Sequence, residues 1–151
     1  MNYGLLCEQA ESLVSGVPHL TADLANLSAL VFRSLDRINW AGFYILEGKT
    51  LVLGPFQGKP ACIEIPEGRG VCGTALRENR TVLVPDVHAF PGHIACDADS
   101  RSEIVIPIRK DLRPVAVLDI DSPEKGRFDE QDRIGLEKLA GVIEKALHAL
   151  L

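Results

Sequence analysis

"NWAGFYILEGKTLVLGPFQG", residues 39–58, is the stretch on which the fold turns. Upstream of it apolar residues recur at helical intervals. Within it the period drops to two, and Glu47-Gly48-Lys49 interrupts the run. Two such runs around a short glycine-containing segment read as a hairpin, with strands over 39–46 and 50–56. On its N-terminal side, TADLANLSALVFRSL puts Leu24, Leu27, Leu30, Val31 and Leu35 on one helix face together with Leu20, and Thr21 is the expected N-cap. Residues 3–15 form a shorter helix ending near Gly16. On the other side ACIEI (61–65) fits a short strand, GRGVCGTALREN a glycine-rich turn entering a helix over about 71–78, and TVLV (81–84) a strand stopped by Pro85. EIVIPIRK and PVAVLDID form a second hairpin around Asp111-Leu112-Arg113. Asp129 then caps a long helix striped by Leu136, Leu139, Val142, Ile143, Ala146, Leu147 and Leu150.

Hairpins between terminal helices define an α+β fold, a central antiparallel sheet of about six strands flanked by N- and C-terminal helices. No linker or repeat divides the chain, so residues 1–151 are expected to form a single domain. At this length a chain buries roughly 68–70% of its unfolded surface and needs no disulfide or metal staple. The net charge of −5 and the absence of a basic stripe argue against a nucleic-acid partner. No apolar run reaches the ~18 residues of a membrane span. The first residues, MNYGLLCEQAESLVSG, lack the basic and apolar regions of a signal peptide. With four cysteines and no export signal, the expected location is the reducing cytoplasm.

Four features carry chemistry. The first is the aperiodic stretch 85–102, longer than most loops of compact domains, where GHIACDADSRSE sets Cys96 among polar side chains. A free cysteine usually behaves as a small buried hydrophobe, which suits Cys72 in its apolar turn but not Cys96. The intervals between Cys62, Cys72 and Cys96 are 10 and 24 residues, without the paired spacing of a zinc site, so no metal is expected. A loop cysteine with another in the same half of the chain suits thiol–disulfide chemistry, one thiolate attacking and a second resolving the sulfenic acid. Asp97 and Asp99 would raise the Cys96 pKa unless they point away. Cys7, on the first helix, reads as structural.

The second feature is LDID, whose Asp119 and Asp121 share a strand face. On spacing alone they mark a solvated strand end as readily as a site. Glu103, at the start of the neighbouring strand, would complete a cluster that binds an ammonium group and keeps one carboxyl protonated. The third is GRGVCGTA, whose glycines and helix start offer free N–H groups to an anion such as a carboxylate, a signal shared by many Gly-rich turns. The fourth is NWAGFY, in which Phe43 suits the core while Trp40 and Tyr44 share a face and would wall a small pocket.

Together NWAGFY, LVLGPFQGKPAC, GRGVCGTA, VHAFPGHIACDADSRSEIV and VLDIDS closely resemble the free methionine-(R)-sulfoxide reductases, an enzymatic branch of the GAF fold, over about residues 20–145. The resemblance implies that Cys96 attacks the sulfoxide sulfur, that Cys62 resolves its sulfenic acid to a disulfide, and that Cys72 is auxiliary. It implies recycling by thioredoxin, no cofactor, and a role in oxidative stress. Glu103, Asp119 and Asp121 match the family's substrate-site acids, with Glu103 and Asp121 also placed among the catalytic residues, and Trp40 and Tyr44 match its pocket aromatics. The substrate carboxylate would rest on backbone N–H groups of Val71, Cys72, Gly73 and Thr74, with the methyl group against Trp40. A homodimer follows by analogy with the fold only. Pro60 departs from the family pattern and stiffens the segment that carries Cys62. The alternatives are a non-enzymatic GAF sensor of a small ligand or of redox state, and an interaction protein signalling through a Cys62–Cys96 disulfide.

Overall fold

A computed structural model of the chain describes residues 1–94 and 96–151. Ala95, inside the HIAC context above, lies outside the described residues. Two helices, α1 (Tyr3–Leu13) and α2 (Leu20–Ser34), lead into β1 (Trp40–Glu47), β2 (Thr50–Gly58) and β3 (Glu64–Pro66). After α3 (Gly70–Glu78) come β4 (Val82–Val84), a 3-10 turn (Val87–Ala89), β5 (Ser102–Lys110), β6 (Arg113–Ser122) and α4 (Glu130–Leu147). The strands form one sheet in the order β3-β2-β1-β6-β5-β4, every pair antiparallel. No helix among the described residues is long and apolar enough to cross a membrane.

The period-2 pattern sorts the sheet into two faces. Ala41, Phe43, Ile104, Ile106, Ile108, Leu118 and Ile120 pack against Leu24, Leu27 and Val31 of α2 and Leu136, Leu139 and Ile143 of α4. The residues between them in sequence face the other way, where Val105 and Val117 lie with Val71, Ala75 and Leu76 of α3. The site lies on this second face, which one helix covers only in part.

Local details differ from the sequence reading in physically simple ways. Helix α2 starts after His19 rather than Thr21, because the Asp23 carboxylate accepts the His19 N–H at 3.1 Å and secures the first turn. Cys62 precedes β3, which pairs with β2 only over three residues. The β5–β6 turn is Asp111-Leu112, both at positive φ (51° and 70°), so Arg113 already pairs with Lys110. That is the primed two-residue turn whose twist matches antiparallel strands. Leu150 falls beyond α4 in a final 3-10 turn and is exposed.

The N-terminal helix is locked onto α4 by polar contacts. Tyr3 donates its hydroxyl to Asp132 at 2.6 Å, and the other Asp132 oxygen meets Arg127 at 3.3 Å while completing a capping box with Asp129. Gly135 lets the Tyr3 ring lie on α4: a Cβ there would fall 2.1 Å from the ring Cγ. Gly135→Ala should therefore destabilise the protein by about 1–3 kcal/mol despite alanine's better helix propensity. A urea midpoint unchanged or raised in that variant would contradict this packing.

Candidate active site

The sheet register assembles the site. On its open face, Trp40 of β1 lies opposite Asp121 of β6, which lies opposite Glu103 of β5. One row deeper, Gly42, Asp119 and Val105 are aligned in the same way. Gly42 is required there, since a Cβ would sit 2.3 Å from Phe56 Cβ and 2.9 Å from the Trp40 ring. The three acids of the sequence reading are thus brought together. Like charges directly opposite on a sheet are destabilising, and Glu103 and Asp119 are almost fully buried (7% and 5% exposed).

That environment sets their protonation. Burial, then the Asp119 and Asp121 charges, holds the Glu103 carboxyl well above its usual range. Burial, then Asp119, does the same for Asp121. Asp119 is raised too, by burial, but interactions with Glu103 and Cys72 pull it back down. The buried Cys72 thiol is pushed far up by burial and by the Asp119 and Glu103 carboxylates, so it stays protonated and is no nucleophile. No ion-pair partner for any of the three acids is present among the described residues, and Asp119 Oδ1 is buried without a hydrogen-bond partner.

A cavity opens above the acids, walled by Trp40, Tyr44, Ile65 and Ile94, with Cys72 and the start of α3 on one side and Cys96 at its edge. Cys96 forms a disulfide with Cys62, their Cα atoms 5.5 Å apart. The aromatics do more than wall the cavity. Trp40 Nε1 donates to the Lys59 carbonyl at 3.1 Å, and the Tyr44 hydroxyl donates to the Cys62 carbonyl at 2.9 Å, so both tether the segment that carries Cys62. Pro60 is exposed in that segment.

The loop acids are each held by a partner outside the loop, although Asp97 also lines the cavity. Asp97 accepts from Asn39 Nδ2 at 3.1 Å, and Asp99 meets Lys59 Nζ at 2.5 Å, which holds its pKa down. Asn39 and Lys59 carry no chemistry by their sequence context, and only the fold shows them pinning the Cys96 loop. Arg69 and His93, which also line the cavity, were likewise missed. The GRG sequence held the one available signal for Arg69, a cation beside a helix start.

At α3 the cavity is lined by Arg69, Gly70, Val71 and Cys72, whereas Gly73 and Thr74 are not brought to it. The Gly73 N–H already bonds the Arg69 carbonyl at 2.9 Å, and the Thr74 hydroxyl donates to the Gly70 carbonyl at 2.6 Å. The first three N–H groups of a helix have no partner inside it, and these are the ones at the cavity. Gly70, at φ +61°, makes the sharp turn that aims them there.

Fold and cavity define a GAF domain with a cavity bordered by one cysteine of a disulfide, and the GAF domain family model matches residues 21–148. The free methionine-R-sulfoxide reductase of Escherichia coli is 53% identical over 96% of this chain and 88% of its own. The reduced form of fRMsr of Staphylococcus aureus superposes with a TM-score of 0.94 at 57% identity, covering 97% of this chain and 95% of that one. The free methionine-R-sulfoxide reductase of Neisseria meningitidis in complex with its substrate also gives 0.94, at 45% identity over 97% and 89% of the two chains. The chain belongs to the free methionine-R-sulfoxide reductase family.

Proposed function

We propose that this chain, as one catalytic domain, reduces free L-methionine-(R)-sulfoxide to L-methionine in the cavity above Glu103, Asp119 and Asp121. The observation that supports this most directly is the Cys62–Cys96 disulfide standing beside buried acids that have no cation partner among the described residues. A free amino acid supplies that cation as its ammonium group. Asp119, whose Oδ1 lacks a partner, is the seat for it. The substrate carboxylate then lies against the free N–H groups of Gly70, Val71 and Cys72 and the Arg69 guanidinium. The methyl group rests on Trp40.

The chemistry follows in balanced steps. The Cys96 thiolate attacks the sulfoxide sulfur as the oxygen takes a proton from a neutral carboxyl. Oxygen passes to Cys96 as a sulfenic acid, and the methionine thioether leaves. The donor is Asp121 or Glu103, both kept protonated by burial, and Asp121 is the one beside the pinned loop. Its own backbone carbonyl accepts the Asn39 N–H at 2.9 Å, and the Asn39 side chain holds Asp97. Cys62 then attacks the sulfenic sulfur, water leaves, and the disulfide forms. A thioredoxin-type dithiol reduces it, becoming a disulfide itself and restoring both thiols.

Incubating the isolated protein with resolved epimers of free methionine sulfoxide, thioredoxin and its reductase tests the reading. Turnover of the R epimer is expected. Its absence would favour a ligand sensor. Cys62→Ser should release the first equivalent of methionine at a near-normal rate, while thioredoxin-dependent cycling falls sharply. Undiminished cycling would give the resolving role to another thiol.

A further inference from the structure

The residues lining the cavity include a second donor set. One atom from each of Cys72, Glu103 and Asp119, the thiol sulfur and a carboxylate oxygen apiece, lies within 4.8 Å of the other two, and all three residues are buried. They stand on α3, β5 and β6, elements fixed by the sheet rather than by loops. A cluster of acids alone says little, but here Asp119, one of the three, lines the cavity, and its buried Oδ1 has no hydrogen-bond partner. Sequence spacing gave no hint of this set, because its members come from three separate elements.

We propose that Cys72, Glu103 and Asp119 bind Zn²⁺, and that the bound ion shuts the substrate out of the pocket. One sulfur with two carboxylate oxygens suits zinc. The hard cations Mg²⁺ and Ca²⁺ take oxygen ligands and have no use for a thiol. Zinc is satisfied by three protein ligands and a water, at about 2.0–2.3 Å from each, so the donors need close in by only a fraction of their present separation. Binding displaces the Cys72 proton and any proton held by Glu103 to solvent, leaving a thiolate and two carboxylates around the dication. The ion occupies Asp119 Oδ1, the atom assigned to the substrate ammonium. Exclusion of substrate therefore rests on the reading of the pocket given above, while the metal site does not.

The reduced Cys62 and Cys96 thiols would also attract zinc. The test therefore uses the full chain with Cys7, Cys62 and Cys96 changed to serine, so that Cys72 is the one thiol left. Titration with Zn²⁺ against a chromophoric chelator should show one equivalent bound, and Co²⁺ should give a sulfur-to-cobalt charge-transfer band. Adding Cys72→Ala should weaken Zn²⁺ at least tenfold and abolish the band. Asp119→Asn should weaken Zn²⁺ to a similar degree, a readout that leaves the thiol in place, with thermal melts confirming that both variants fold. Free L-methionine should raise the apparent Kd for Zn²⁺. No binding, or binding indifferent to Cys72→Ala, overturns the site. Binding through Cys72 that methionine does not disturb overturns the exclusion. Wild-type turnover in excess chelator reads the reductase activity separately.

Discussion

Cys96→Ser should yield no methionine at all, even in a single turnover with enzyme in excess over sulfoxide. The attacking atom must donate an electron pair to sulfur and afterwards carry oxygen as a sulfenic acid. A serine hydroxyl is a poor nucleophile at neutral pH and has no equivalent of that oxidised state. Removal of an enzyme's nucleophile costs on the order of 10⁴-fold or more in the chemical step. Neither remaining cysteine near the cavity can substitute. Cys72 is held protonated by burial and by Asp119 and Glu103. Cys62 hangs from Tyr44 through its carbonyl, outside the cavity lining. The geometry of the loop should survive the change, because the Asn39–Asp97 and Lys59–Asp99 contacts that pin it do not involve the sulfur. The variant should therefore still bind free methionine, which calorimetry would show. Single-turnover product formed by Cys96→Ser would move the nucleophile to another residue.

Much of this site was legible because sheets translate sequence parity into sidedness. Trp40 and Tyr44, Asp119 and Asp121, and Glu103 needed only period two and hairpin register to be gathered on one face, and the antiparallel sheet supplied both. Where the reading fell short, the cause was contact between segments far apart in the chain. Thr21 lost the capping role to Asp23, a carboxylate two residues further on reaching back to His19. Gly73 and Thr74 were counted as free donors because composition marks a helix start only to within a residue or two. The helix begins at Gly70 and consumes the Gly73 N–H. Asn39 and Lys59 carry no motif at all. Their partners Asp97 and Asp99 had looked like a burden on the Cys96 thiol, and the fold turns both into anchors of its loop. Cys72 already read as a buried thiol in its apolar turn, but its place beside Asp119 and Glu103, which pushes its pKa further up, comes from strands far away in the sequence.

Glu103, Asp119 and Asp121 should make the enzyme discriminate sharply between free methionine-(R)-sulfoxide and its N-acetyl derivative. Acetylation removes the ammonium charge and adds bulk where the acids are packed. Hydrogen bonds to charged groups contribute roughly 1.5–3 kcal/mol each, so loss of one or two lowers kcat/KM roughly ten- to several-thousand-fold. Neutralising the acids one at a time separates their roles. Asp119→Asn should chiefly raise KM, as expected of a seat for the ammonium. Asp121→Asn or Glu103→Gln should lower kcat at whichever carboxyl delivers the proton. Stability should move the other way. Glu103 and Asp121 have folded-state pKa values raised by burial and by neighbouring charge, so the folded protein keeps protons that the unfolded chain releases. Their stabilising contribution is complete below the unfolded carboxylate pKa of about 4 and is lost as pH rises through the folded values. Glu103→Gln removes that loss, so at neutral pH the variant should melt higher than the parent while reducing sulfoxide less well. A fall in both properties would mean that Glu103 supports the fold rather than the reaction. Equal kcat/KM for the free and N-acetylated substrates would mean that the acids serve the sulfoxide alone and leave the ammonium group unrecognised.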